Sequence, residues 1–223
     1  MSLLRNLIKK VTHPFLKKGA DYYYKKPRPY SYKGITTMVH PDVFPPHLTL
    51  STKILLDFIS EIDLTQKTFL ELGCGSGIIS LFASQKGAKV TASDINTTAL
   101  EYLNNASKNN ELPIDCVHSD LFENIAEKQF DYIFINPPYY PKSPENIKQQ
   151  AWFCGEEFEY FKSLFKQLPK YLSKENTTYM ILSEDCELEK IKRIALENNV
   201  IMEHVYETKK MGEKNFIFSI YQK

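Results

Sequence analysis

No stretch of this chain approaches the roughly 20 consecutive apolar residues that cross a bilayer as a helix, so no membrane span is predicted. The first residues do not read as a secretory signal, because Arg5, Asn6, Lys9 and Lys10 interrupt any apolar core such a signal needs. Cysteine is sparse and scattered. Cys74, Cys116, Cys154 and Cys186 form no Cys-x-x-Cys pair and have no paired histidines. That pattern argues against a disulfide framework and a zinc site and predicts free thiols, no metal and a cytoplasmic location. Acid is missing where base is densest. The first 33 residues hold nine Lys/Arg and a single acid, Asp21, leaving 19 bases against 26 acids in the rest. A basic arm precedes an acidic body.

The 223 residues, 43% hydrophobic and 25% charged, suit one α/β domain with an extension and suffice for a full core. We divide the chain into an arm, residues 1–38, and a domain, residues 39–223. In the arm, Leu3, Leu4, Leu7, Ile8 and Val11 recur at helical spacing opposite Arg5, Lys9 and Lys10, and Pro14 ends the pattern. Such a helix packs on the domain's flank, or meets a membrane surface or an acidic partner. Between Tyr22 and Lys33, five tyrosines interleave with four bases. Stacking and phosphate neutralisation would let this stretch contact nucleic acid; otherwise its tyrosines cover the domain surface. Residues 39–52 are Pro-rich and lead to a helix opened by Thr52, a plausible wall for a ligand. His40 and His47 in this segment are either catalytic or structural.

From residue 68 the pattern alternates strand and helix. Strands are predicted at Thr68–Leu72, Lys89–Ser93, Ile114–His118, Phe130–Ile135, Thr177–Leu182, Val200–Tyr206 and Phe216–Tyr221. Helices are predicted at Ile78–Gln85, Thr97–Asn109, Leu121–Ala126, Glu156–Leu172 and Leu188–Glu197. Alternation of this kind implies a Rossmann-like, doubly wound parallel sheet. The last two strands have only residues 207–215 between them, too few for a crossover, so they form an antiparallel hairpin. The expected fold is a seven-stranded, mostly parallel sheet with an antiparallel final strand.

Chemistry gathers at the carboxyl ends of the strands, where open α/β sheets bind ligands. The first strand ends in Glu71-Leu-Gly73-Cys-Gly75-Ser-Gly77, whose glycines let the backbone turn tightly and approach a ligand. A nicotinamide fingerprint requires a third glycine at 78, where Ile stands. An acid before three alternating glycines suits a zwitterionic amino-acid tail instead. Asp94, followed by Ile95, lies seventeen residues after Gly77, placed to accept both hydroxyls of a ribose. Asp120, followed by Leu121 and Phe122, either accepts from an adenine amine or caps the helix expected next. The fourth strand stops at Asn136-Pro137-Pro138-Tyr139. Pro138 lacks an N–H and disfavours the helical region for Pro137, so the backbone leaves the ladder there. A carboxamide, a proline carbonyl and a phenol are left at the strand end.

Glu71-x-Gly73-x-Gly75-x-Gly77, Asp94, Asp120 and Asn136-Pro-Pro-Tyr139, in order at successive strand ends, resemble the class I S-adenosylmethionine-dependent methyltransferases. The Asn-Pro-Pro-Tyr form is shared by enzymes that methylate planar nitrogens: release-factor glutamine, adenine N6 and guanine N2. The resemblance implies S-adenosyl-L-methionine as cofactor, bound by Glu71, Gly73, Gly75, Gly77, Asp94, Ile95, Asp120, Leu121 and Asn136. It implies catalysis by Asn136 and the Pro137 carbonyl, which accept the two N–H bonds of the acceptor, with Tyr139 stacking on its plane. Val43-Phe-Pro-Pro46 and Thr52-Lys-Ile-Leu-Leu56 resemble the segment before the glycine loop of the release-factor glutamine enzymes. His47–Ser51 is longer than in that pattern, the acidic pair of some relatives is absent, and the basic arm stands where those enzymes carry a helical domain. A protein glutamine amide is the favoured acceptor; a nucleobase met through the arm, or a small molecule, is the alternative.

Overall fold

The computed structural model describes residues 25–223; the amphipathic segment expected at residues 2–12 lies outside them. The described residues begin with a hairpin that no expectation covered. Strands β1 (Arg28–Tyr32) and β2 (Ile35–Val39) pair antiparallel, Tyr32 opposite Ile35. Lys33 and Gly34 join them with φ of 45° and 87°, the two-residue turn whose twist matches that of the flanking strands. β2 buries Ile35, Thr37 and Val39 and exposes the residues between. The hairpin straddles the division drawn at residue 38.

Helix α1 (Leu50–Ser60) follows and starts two residues before the expected Thr52, with Thr49 at its N-cap. Strand β3 (Thr68–Leu72), helix α2 (Ile78–Gln85), strand β4 (Lys89–Asp94), helix α3 (Thr97–Asn109) and strand β5 (Ile114–His118) then run as alternating units. Beyond β5 the helix expected at Leu121–Ala126 is replaced by turns. Leu121 adopts φ 47°, which a right-handed helix cannot accommodate, and Ser119 Oγ accepts from the Asn124 N–H at 2.9 Å to close the turn.

Strand β6 (Tyr132–Ile135) begins two residues later than expected, leaving Phe130 in the core. A one-turn helix α4 (Ile147–Gln150) sits in the loop beyond it. Helix α5 (Glu159–Gln167) is shorter than the expected 156–172 at both ends. Gly155 and Phe158 hold φ of 87° and 62° and delay its start; Leu168–Tyr171, with Pro169, forms a 3-10 turn after it. Strand β7 (Thr177–Ser183), helix α6 (Leu188–Glu197), and strands β8 (Val200–Lys210) and β9 (Glu213–Gln222) complete the fold. Met211 and Gly212, with φ of 51° and 82°, turn the final hairpin as Lys33 and Gly34 turn the first.

The main sheet has the order β5-β4-β3-β6-β7-β9-β8. β5 through β7 pair in parallel; β9 is antiparallel to both β7 and β8. This is the mostly parallel seven-stranded architecture expected. Strand alternation sends Leu70, Leu72, Ile133 and Ile135 to one face, under α5 and α6. Phe69 and Phe134 go to the other, stacked at 5.0 Å under α1, α2 and α3. Each such fully buried large side chain stabilises the fold by roughly 1.5–3 kcal/mol. Glu71 and Phe134 are register partners, so Glu71 leaves its strand on the same face as Phe134. The order of the sheet brings the ends of β3, β4, β5 and β6 side by side.

Candidate active site

Those strand ends enclose a cavity of about 610 Å³. Glu71, Gly73, Gly75, Asp94, Ile95, Asp120, Leu121 and Asn136 all line it. Gly77, Pro137 and Tyr139 do not.

The glycine loop owes its shape to backbone bonds. The Ser93 carbonyl at the end of β4 accepts from the N–H groups of Gly73 (2.9 Å) and Cys74 (2.8 Å), and Gly77 N–H returns to the Cys74 carbonyl at 2.8 Å. Gly77 holds φ 71°, and a Cβ there would lie 2.3 Å from Leu103 Cδ1 on α3. Conformation and space both require glycine at 77, although it sits behind the cavity wall. At Gly73 an added Cβ would meet nothing within 4 Å. Its face of the loop is open to the cavity.

Glu71 is buried, and its Oε2 accepts from the Ser80 N–H at 2.8 Å and from the Ser80 hydroxyl. Burial pushes its carboxyl up to about 8, against the two Ser80 donors, which favour the charged form. Asp94 Oδ2 accepts from Gly75 N–H at 2.7 Å and Oδ1 from Asn96 N–H at 2.8 Å. Burial raises its carboxyl too, outweighing these donors. His118 Nε2 donates to the Ile95 carbonyl at 3.0 Å and so braces the residue after Asp94. Asp120 is exposed on its turn, with Phe122 N–H held by Gln167 Oε1 of α5 at 3.2 Å.

Asn136 continues the alternation of β6 beyond Ile135 and reaches the cavity with Pro138. Pro137 is buried. Tyr139 packs against the core on the α5–α6 side, its ring 4.7 Å from that of Tyr140. Burial pushes its phenol well above the usual range. His40 rests on Tyr102, centroids 5.3 Å apart, and His47 donates through Nε2 to the Pro29 carbonyl at 2.9 Å. Neither histidine lines the cavity, and their contacts are structural. Among the described residues no group of three or more His, Cys, Asp or Glu is clustered to hold a metal ion, and no helix is long and apolar enough to cross a membrane.

Val43, Phe44 and Thr52 supply the wall anticipated for residues 39–52. Phe44 packs against Trp152 in a tilted pair with centroids 4.8 Å apart, which joins this loop to the one after β6. Sequence reasoning missed that second loop and the start of α5: Ser143, Pro144, Ile147, Gln150, Phe153 and Tyr160 also line the cavity. The signal available for Tyr160 was the stripe it begins with Ser163 and Gln167, beside the apolar face of Phe161, Leu164 and Phe165 on the same helix.

Residues 34–222 match the family model described as methyltransferase small domain. A relative from Methanocaldococcus jannaschii, named "putative protein N5-glutamine methyltransferase", is 36% identical over 68% of this chain and 77% of its own length. The ribosomal RNA small subunit methyltransferase C of Actinobacillus pleuropneumoniae is 34% identical over 60% of this chain and 44% of its own. The chain thus spans about half the length of the ribosomal RNA relatives it matches. Among solved structures, the E. cuniculi Mtq2–Trm112 complex, described as methylating the termination factor eRF1, gives a TM-score of 0.62 at 21% identity, covering 82% of this chain and 99% of the other. The T. thermophilus 16S rRNA guanine-N2 methyltransferase, in complex with S-adenosylmethionine and guanosine, gives 0.59 at 18% identity, covering 86% and 50%.

Proposed function

We propose that this chain, which belongs to the methyltransferase small domain family and is an S-adenosylmethionine-dependent methyltransferase, methylates a side-chain amide nitrogen of a protein. The cavity fits the donor. Its volume lies in the range of small-molecule sites, roughly 300–1,000 Å³, and the open face at Gly73 leaves room for close approach. Glu71 and the glycine loop would hold the charged amino-acid tail, Asp94 the ribose diol, and Asp120 with Ile95 and Leu121 the adenine. When bound, the donor supplies a sulfonium methyl group open to in-line displacement.

An amide nitrogen is a poor nucleophile because its lone pair is delocalised. Asn136 Oδ1 and the Pro137 carbonyl would accept its two N–H bonds, which fixes the nitrogen and turns its lone pair toward the methyl group. Asn, which carries no charge and is no base, suits a reaction that needs no proton removed beforehand. Tyr139 would close over the amide plane once an acceptor occupies the site.

The observation that carries the choice of a protein acceptor is the charge of the cavity. Six acids line it, of which Glu71 and Asp94 have carboxyls raised by burial toward the neutral form, and no Lys or Arg among the described residues does. Asp42, Asp120, Glu123 and Glu159 are exposed. A phosphate backbone at such a mouth meets like charge, whereas an amide flanked by cationic side chains is drawn in. The M. jannaschii relative supports the same choice. The buried thiols Cys74, Cys154 and Cys186, none in a disulfide, suit a reducing cytoplasm.

The second reading, methyl transfer to a nucleobase amine, is favoured by the ribosomal RNA relatives and by the basic, Tyr-rich residues ahead of the fold. Incubation with methyl-labelled S-adenosylmethionine and a cell extract separates the two. Label is expected in material that nuclease leaves and protease destroys. Label lost to nuclease, with acceptor binding that falls steeply with added salt, would replace the first reading by the second.

A further inference from the structure

Helix α5 gives the cavity a wall that no sequence motif marks. Tyr160, Ser163 and Gln167 stand at i, i+3 and i+7, so they share one helix face, and all three line the cavity. Asp94, Ile95, Asp120 and Leu121 line it as well. Gln167 Oε1, accepting from Phe122 N–H, fastens the helix to the turn that carries Asp120 and Leu121.

The position of Tyr160 is closely fixed. Its N–H donates to the Cys154 carbonyl at 3.0 Å. The Glu159 carboxylate folds back over Gly155, where a Cβ would lie 1.8 Å from Glu159 Oε2, and also accepts from Glu157 N–H at 3.1 Å. The Tyr160 ring is half-buried and meets Phe161 edge to face at 5.4 Å. Burial, then the negative charge of Asp94 and of Asp120, pushes the phenol's ionisation far above neutrality. The hydroxyl therefore keeps its proton, available to a ligand in the cavity that Asp94 and Asp120 also line.

We propose that Tyr160 is a cofactor-specificity residue whose hydroxyl hydrogen-bonds the adenosyl half of the bound donor, on the side opposite the strand ends. This rests on the reading that Asp94 and Asp120 hold the ribose and the adenine. Ser163 and Gln167 extend the same wall, so the adenosyl group is gripped between a helix face and the ends of β4 and β5.

Calorimetric titration with two compounds tests this: S-adenosylhomocysteine, and methylthioadenosine, which keeps the adenosyl group and lacks the amino-acid tail. Tyr160→Phe is expected to weaken both by the same factor, about 3–10-fold, the loss of one hydrogen bond. Glu71→Gln, which touches the tail end, is expected to weaken the first compound only. Unchanged affinity of Tyr160→Phe for both, or a loss confined to S-adenosylhomocysteine, would overturn the proposal. Wild-type protein that binds neither would overturn the underlying donor reading. Ser163→Leu guards against a folding defect, since Ser163 is exposed. The added bulk on this face is expected to reduce methylthioadenosine binding at least tenfold, and undiminished binding there also counts against the proposal.

Discussion

The two halves of the sheet prepare for chemistry to different degrees. On the β3–β5 side the groups proposed to hold the donor already line the cavity. The glycine loop is bonded to Ser93, Asp94 is held by two backbone N–H groups, and both acids face the cavity. On the β6–β7 side Asn136 reaches the cavity, while Pro137 is buried and Tyr139 lies against the core. The proposed donor contacts come from strand ends and main chain, which the sheet itself fixes. The proposed acceptor contacts would depend on the loop between β6 and α5, whose partners come from distant parts of the chain. A binding site for a constant cofactor can be built rigidly; one for a large acceptor is completed when the acceptor arrives.

Asn136→Ala should separate the halves most sharply. Methyl transfer is expected to fall by about 10²–10³-fold, the usual cost of removing an oriented polar group at a reacting centre. S-adenosylhomocysteine affinity should stay within about threefold. Undiminished transfer would remove Asn136 from the mechanism.

Gly77→Ala attacks the donor half from behind. The left-handed backbone costs about 1–2 kcal/mol for a residue with a Cβ, and the collision with Leu103 adds about 1–3 kcal/mol. A drop of roughly 2–5 kcal/mol in unfolding free energy is expected from urea titration. An unchanged midpoint would mean that the loop and Leu103 can yield, so the donor half would be softer than its bonding implies.

The third test uses pH. Burial raises the Glu71 carboxyl from an ordinary value of 4.5 to about 8. A group with a raised pKa in the folded state contributes stability fully below its unfolded pKa and loses it as pH rises through the folded value. The protein without its donor should therefore lose stability between about pH 5 and pH 8, and Glu71→Gln should flatten the profile in that window. Urea midpoints at a series of pH values decide it. A wild-type profile already flat would show Glu71 to be ionised throughout.

The smallest effect asks whether the donor half is self-contained. Thr37 on β2 donates from Oγ1 to the Ser76 carbonyl of the glycine loop at 3.1 Å. Asn110, after α3, grips the same strand, accepting from Thr36 N–H at 3.2 Å and donating to its carbonyl at 2.9 Å. Thr37→Val is expected to cost about 0.5–1.5 kcal/mol and to weaken S-adenosylhomocysteine binding a few-fold. Binding unchanged with stability reduced would limit the hairpin to a structural role.

The residues lining the β3–β5 side of the cavity were legible because their signals are local. An acid, three glycines and a strand lie within ten residues of each other, Asp94 ends a strand, and Asp120 lies two residues past the end of another. The first hairpin was not read, although Lys33-Gly34 and the alternating Ile35–Val39 carry its turn and its pattern, because tyrosines and prolines before it suggest an extended arm. The expected helix at Leu121–Ala126 failed on one residue, since nothing local marks Leu121 for a left-handed backbone. The wall after β6 was illegible for a different reason. Tyr140 bridges to Phe153, Phe44 packs against Trp152, and Tyr160 joins Asp94 and Asp120 around one cavity only after the sheet has brought distant segments together.

The contact between Phe44 and Trp152 has a practical reach beyond its place in the wall. Trp152 is the chain's single tryptophan, so all of the protein's indole emission originates where two loops meet at the cavity. Anything that parts those rings or wets them alters colour and intensity without any label being attached. A ligand whose entry disturbs this pair would be timed by stopped-flow emission, separately from methyl transfer.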